Sequence, residues 1–120
     1  MAGLRPLDPA EDLDGAYRPI DLTQVQGDLT GESSEALARV AFAPTGRAGE
    51  ATVETVRRTE RRAVVLVTSR GTGGDAVQDE QVRAVFVYGD DGPWRLVSAG
   101  ERFRCQPGRG HQDWSPEPCG

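Results

Sequence analysis

The stretch "RRAVVLVTSRGTGGDAVQDEQVRAVFVYGDDGPWRLVSAGERFRC", residues 61–105, decides how this chain folds. Its apolar residues repeat every second position, the spacing that sends successive side chains to opposite faces of a strand. In "EQVRAVFVYGD" Val82, Ala84, Phe86 and Tyr88 alternate with Arg83, Val85 and Val87, which gives a strand with two usable faces. "PWRLVSAGERFRC" sets Trp94, Leu96 and Ser98 against Arg95 and Val97, and Gly100 reads as a bulge. The "DDG" at 90–92 between them is a hairpin signal. Upstream, "RRAVVLVTSR" has Val65 and Val67 on one face and Val64 and Leu66 on the other, which suits a central strand covered on both sides. "ATVETVRRT" (51–59) precedes it around a turn near Thr59–Arg61, and "GTGGDAVQD" (71–79) is a turn-rich connection.

Towards the N-terminus the period changes. In "GDLTGESSEALARVAFAP" (27–44) Ser33 or Ser34 can cap a helix, and Glu32 and Glu35 suit its positive end. Leu37, Val40 and Ala41 recur at helical spacing, and Pro44 ends the run, so one helix is predicted over about 33–43. "AYRPIDL" (16–22) reads as a short edge strand, because Pro19 has no N–H to give a neighbouring strand. Residues 1–15 read as a flexible acidic leader and residues 16–120 as a single domain. The expected fold is α+β: one N-terminal helix packed on a curled four-stranded antiparallel meander, of the cystatin or nuclear-transport-factor-like kind.

Bulk composition narrows the function classes. The chain has 120 residues and a formal net charge of −5, and its 14 cations are all arginine. Residues 1–50 hold four arginines against nine acidic groups, and residues 51–120 hold ten of each. The densest basic run, "RRTERR" (57–62), carries a glutamate in its middle, so nucleic acid is not an expected partner. The longest apolar run, "AVVLV" (63–67), is far short of the ~20 residues that cross a bilayer.

Both cysteines, the single histidine and one of the two tryptophans fall in "CQPGRGHQDWSPEPC" (105–119). Cys105 and Cys119 form no C-x-x-C pair, and with His111 they make three soft ligands where a closed structural zinc site takes four. A nucleophilic triad would have to use His111 with Ser115 and Asp113, all on one short loop without a rigid supporting shell. A metal site on His111, Asp113 and Glu117 is weakened in the same way. "GTGGD" lacks the Gly-Lys-Ser/Thr ending of a phosphate loop, "GRG" (108–110) lacks a third glycine, and the acidic pairs at 79–80 and 90–91 lie in turns. No catalytic residue, metal or cofactor is expected. The two cysteines are either free thiols of a cytosolic protein or a bridge formed in an oxidising compartment. Residues 1–25 contain no apolar segment of signal-peptide type, yet "LRPLDPAEDLDGAYRP" (4–19) has the composition of a spacer behind a removed leader or lipid anchor.

The ending "WRLVSAGERFRCQPGRGHQDWSPEPC" (94–119) resembles that of a family of small, uncharacterised bacterial secreted proteins and lipoproteins. The shared pattern falls on Trp94, Leu96, Ala99, Gly100, Cys105, Gly108, Gly110, His111, Trp114, Ser115 and Cys119. The resemblance implies an envelope or extracellular location, a Cys105–Cys119 disulfide closing the C-terminal loop, and no known activity.

Three roles are then expected in order. The first is a non-enzymatic accessory or interaction module whose recognition loop presents Arg109, His111, Gln112, Asp113 and Trp114, an arginine and aromatic set of hot-spot type, to a protein or small-molecule partner in the cell envelope. The second is a ligand-binding or enzymatic pocket in the concave sheet face, lined by Val82, Phe86, Tyr88, Trp94 and Leu96. The third is a purely structural envelope protein.

Overall fold

The computed structural model describes residues 16–25, 27, 29–43, 50–71, 76–90 and 92–120. The acidic leader at 1–15, four residues of the glycine-rich connection (72–75) and Asp91 lie outside them. Among these residues the strands are β1 (Arg18–Pro19), β2 (Thr30–Gly31), β3 (Glu50–Arg58), β4 (Arg62–Arg70), β5 (Val77–Tyr88) and β6 (Trp94–Cys105), with an α-helix, α1 (Ser34–Phe42), between β2 and β3 and a single 3-10 turn at Leu22–Gln24. They form one antiparallel sheet in the order β1-β6-β5-β4-β3, and β2 also pairs with β6.

This corrects the expected fold class. The described residues are dominated by a six-stranded antiparallel sheet, with one α-helix of nine residues among them, rather than a helix layered on a four-stranded meander. The reason lies in relative lengths. β6 is twelve residues long and would present an unpaired edge, and two short strands from the 16–31 segment cover it. Arg18 and Pro19 lie opposite Glu101 and Gly100, while Thr30 and Gly31 lie opposite Arg95 and Trp94. A nine-residue helix spans about 14 Å, against about 40 Å for a twelve-residue strand. It covers only part of the sheet.

The helix is set by its cap. Ser33 Oγ accepts a hydrogen bond from the Ala36 backbone N–H at 3.1 Å, and Glu35 occupies the first turn. Ala38 is fully buried and points into a core made of Ala63, Val65 and Val67 from β4, Val82, Ala84 and Phe86 from β5, and Trp94, Leu96 and Ala99 from β6. The sequence pattern had placed Val40 on the inner helix face; it is 72 % exposed, and the small Ala38 takes the close approach to the sheet instead.

Bulges break the strict alternation. Phe86 pairs with Leu96 and Val85 with Ser98, so Val97 is the extra residue and its side chain faces outwards. The shift brings Ala99, not Ser98, into the core, while Gly100 pairs regularly with Arg83. A second bulge makes Val56 the extra residue of β3. β5 begins at Val77, within the stretch read as a connection, and this extends the hairpin towards the C-terminal loop. β4 is buried on both faces, with Val64 fully inaccessible on the face opposite the helix. Among the described residues no helix is long and apolar enough to cross a membrane.

Candidate functional site

The C-terminal loop folds back on the end of β6. Phe103 and Ser115 exchange both backbone hydrogen bonds, at 2.8 and 3.0 Å, and so add one bridge to the sheet edge. The Cys105 N–H donates to the His111 carbonyl at 2.9 Å, and the Gln106 N–H to the Ala76 carbonyl at 2.8 Å. A disulfide joins Cys105 and Cys119, whose Cα atoms are 5.5 Å apart. Gly108 and Gly110 have φ of 81° and 142°, backbone that an L side chain rarely adopts. Gly110 is also tightly packed, since a Cβ there would lie 3.1 Å from the Cys105 sulfur.

His111 is held at both ring nitrogens. Nδ1 lies 2.9 Å from the Asp113 carbonyl oxygen and Nε2 lies 2.8 Å from that of Glu117. The carbonyls of Glu117 and then Asp113 raise its pKa above the ordinary histidine value, since only the doubly protonated ring donates to both. Ser115 Oγ accepts from the Glu117 N–H at 3.2 Å, so neither serine nor imidazole is arranged as nucleophile and base. Nε2 also lies 3.5 Å from Cys105 Sγ. The donor atoms of Cys105, His111 and Cys119 all lie within 4.8 Å of one another.

The rest of the loop divides into bound and exposed groups. Gln112 Nε2 donates to the Cys105 carbonyl at 2.9 Å, and the Arg109 backbone is tied to Gln106 and Gly120. The side chains of Arg109 and Asp113 are exposed. Trp114 is docked: its ring has the Arg104 guanidinium carbon 4.5 Å from its centroid and that of Arg102 at 5.2 Å. Arg102 in turn lies 4.7 Å from the centroid of Tyr17, giving an aromatic–cation–aromatic–cation stack. Beneath it, Arg104 is ion-paired with the buried Asp79 at 2.7 Å. Gln81 accepts from Arg102 Nε at 2.8 Å and from the Tyr17 hydroxyl at 3.2 Å, and donates to Thr68 Oγ1 at 2.9 Å.

Alternation and register put this network on the sheet face opposite the helix. By register seven arginines share that face, namely Arg57, Arg62, Arg70, Arg83, Arg95, Arg102 and Arg104, with Glu50, Glu54 and Asp79 at its acidic positions among the described residues. Arg57, Arg70 and Arg95 are exposed. The sequence reading missed this surface because it weighed basic residues as a run along the chain. The signal was the spacing in "RFR" (102–104), which places two arginines on one face of a strand.

Four of the five residues read as a pocket lining, Val82, Phe86, Trp94 and Leu96, are buried in the core below α1. Tyr88 is 39 % exposed, packs edge-on against Trp94 at 5.1 Å and borders an open hollow of ≈ 460 Å³ with Gly31, Glu32, Gly92 and Pro93. A second hollow of ≈ 270 Å³ lies where α1 meets β5 and β6, lined by Ile20, Gln24, Val25, Ala41, Phe42, Glu80, Val82 and Glu101. There the Glu101 carboxyl is held above the ordinary glutamate value by burial and by Glu80, with Arg18 opposing. Comparison with known proteins finds no matching family model, no matching curated protein and no matching solved structure.

Proposed function

We propose that this protein is a non-enzymatic interaction module, secreted or held at the bacterial envelope, that grips an acidic segment of a partner protein across its arginine face and bridged loop. The observation that carries this reading is the charge of the face opposite the helix: among the described residues, seven arginines against three acidic positions, on a chain whose net charge is −5. Such a local reversal attracts an acidic partner and discriminates against a basic one. The stack of Tyr17, Arg102, Trp114 and Arg104 holds part of this face rigid, so little ordering is needed on binding. The disulfide and the resemblance of the C-terminal motif to secreted proteins and lipoproteins support the location.

Titration with a fluorescent polyglutamate peptide tests the reading. Binding is expected at low salt and should weaken as salt screens the charges. The double substitution Arg70→Glu and Arg95→Glu should weaken it by about tenfold, or ~1.4 kcal/mol. Equal affinity of wild type and variant would defeat it.

The hollow at Glu80 and Glu101 favours a second reading, a site for a small apolar amine. Its walls combine two carboxylates with Ile20, Val25, Phe42 and Val82. Amide shifts confined to β5, β6 and α1 on titration with a hydrophobic amine would select it over the first.

A further inference from the structure

The disulfide loop contains more chemistry than a covalent staple needs. Among the described residues, Cys105, His111 and Cys119 are the one group of such side chains whose donor atoms converge within 4.8 Å. We propose that reduction of the Cys105–Cys119 bond converts this cluster into a three-ligand site for Zn²⁺, so that the loop exchanges a disulfide for a metal according to redox state.

The spacing suits the ion. Zinc–nitrogen and zinc–sulfur bonds of ~2.0 and ~2.3 Å at a tetrahedral angle put the two ligand atoms about 3.5 Å apart. His111 Nε2 already lies 3.5 Å from Cys105 Sγ. The two sulfurs then need to separate only to about 3.8 Å, the corresponding sulfur–sulfur edge. Orientation is also provided. Nδ1 bonds to the Asp113 carbonyl at 2.9 Å, and a backbone carbonyl on the far nitrogen is the usual outer partner of a metal-bound histidine. This fixes Nε2 as the ligand atom, with the Glu117 carbonyl, now 2.8 Å from it, giving way to the ion. The fourth position falls to solvent, as in open three-ligand zinc sites.

The ligands stay together without the covalent bond because other contacts hold the loop. Phe103 and Ser115 pair through two backbone hydrogen bonds, and the Cys105 N–H is bonded to the His111 carbonyl. Gly120 N–H donates to the Arg109 carbonyl at 2.8 Å, keeping the chain beside Cys119 in place. Trp114 remains stacked on Arg102 and Arg104. The chemistry balances with a dithiol as reductant. Two electrons and two protons pass from the dithiol to the protein disulfide, giving two protein thiols and an oxidised dithiol. Zn²⁺ then displaces the two thiol protons and the proton on His111 Nε2, all three passing to solvent, and accepts lone pairs from both sulfurs and from Nε2. Oxidation of the thiolates by a disulfide reverses the sequence and ejects the ion.

Anaerobic titration of the phosphine-reduced, desalted protein with Co²⁺ tests the proposal, with Zn²⁺ as competitor and circular dichroism as the fold control. One Co²⁺ per chain is expected, with near-ultraviolet sulfur-to-cobalt charge transfer and intense visible bands of a tetrahedral ion, all bleached by Zn²⁺. The oxidised protein should bind none, the double variant Cys105→Ser and Cys119→Ser should bind none, and His111→Ala should bind at least about tenfold more weakly. Equal Co²⁺ affinity in wild type and His111→Ala would overturn the assignment. So would absence of binding by a reduced protein whose sheet signal is intact, or loss of that signal on reduction, since the site requires the loop to stand without its bridge.

Discussion

The Arg104 guanidinium carbon stands 4.5 Å from the centroid of the Trp114 ring while the same side chain is ion-paired with buried Asp79. One residue thus joins the C-terminal loop to the interior of the sheet. Arg102 lies on the same indole at 5.2 Å, so the loop is docked on two cations that alternate along β6. Each such contact is worth about 0.5–1 kcal/mol at a partly exposed site. Trp114→Ala should therefore lower stability by about 1–2 kcal/mol, and Trp114→Phe by less, in urea unfolding followed by circular dichroism. An unchanged midpoint in Trp114→Ala would show that the stack contributes nothing.

The disulfide closes a loop with a sequence separation of 14. Tying off a loop of that length stabilises by about 3 kcal/mol through the unfolded chain. The paired substitution Cys105→Ser and Cys119→Ser should cost about that much, yet leave the far-ultraviolet spectrum of a folded sheet, because the core under α1 is formed by other residues. Collapse of the sheet would mean instead that the loop is part of the folding core.

Core and surface valines were harder to separate in the sequence than strands and helix were. Phe86 is fully buried among Ala63, Leu96 and Ala38, and Phe86→Ala should cost about 3–5 kcal/mol. Val40, which helical spacing alone assigns to the core, is 72 % exposed, and Val40→Ser should change stability by no more than about 0.5 kcal/mol. Thermal unfolding of the two variants side by side decides whether the helix sits as described.

How much was legible follows from which signals are local. Period-two alternation located the strands in 61–105, and the serine pair Ser33–Ser34 announced the start of α1, because each depends on neighbouring residues alone; the structure selects Ser33 as the cap. The bulges at Val56 and Val97 were not legible, since an inserted residue shows only once the partner strand's register is known. The same holds for β2: a two-residue strand carries no periodicity and is defined by the open edge of β6 that it covers. β1 was announced by Pro19 as a short edge strand within 16–22, but its partner and its trimming to Arg18–Pro19 were not. At the loop, the sequence placed both cysteines, His111 and Trp114 in one segment. It could not show that Trp114 meets Arg102, Arg104 and, through Arg102, Tyr17, because those contacts cross the sheet from three separate parts of the chain.

Glu101 gives the pH dependence a definite sign. It faces the hollow below α1, where burial chiefly and then Glu80 raise its pKa, while Arg18, directly opposite on β1, acts the other way. A carboxyl with a raised folded pKa binds its proton more tightly in the native state than in the unfolded chain. Its contribution is therefore fully present below the unfolded value of about 4.3 and is lost as pH rises through the folded one. Glu101→Gln removes the ionisation and with it this loss. The variant and wild type should unfold together at pH 3, and the variant should be the more stable at pH 7. Arg18→Ala removes the one opposing cation and should diverge in the other direction over the same interval, falling below wild type as pH rises. Melting curves of the three proteins from pH 3 to 7 test this, and parallel profiles would show that Glu101 ionises as freely in the fold as in the open chain.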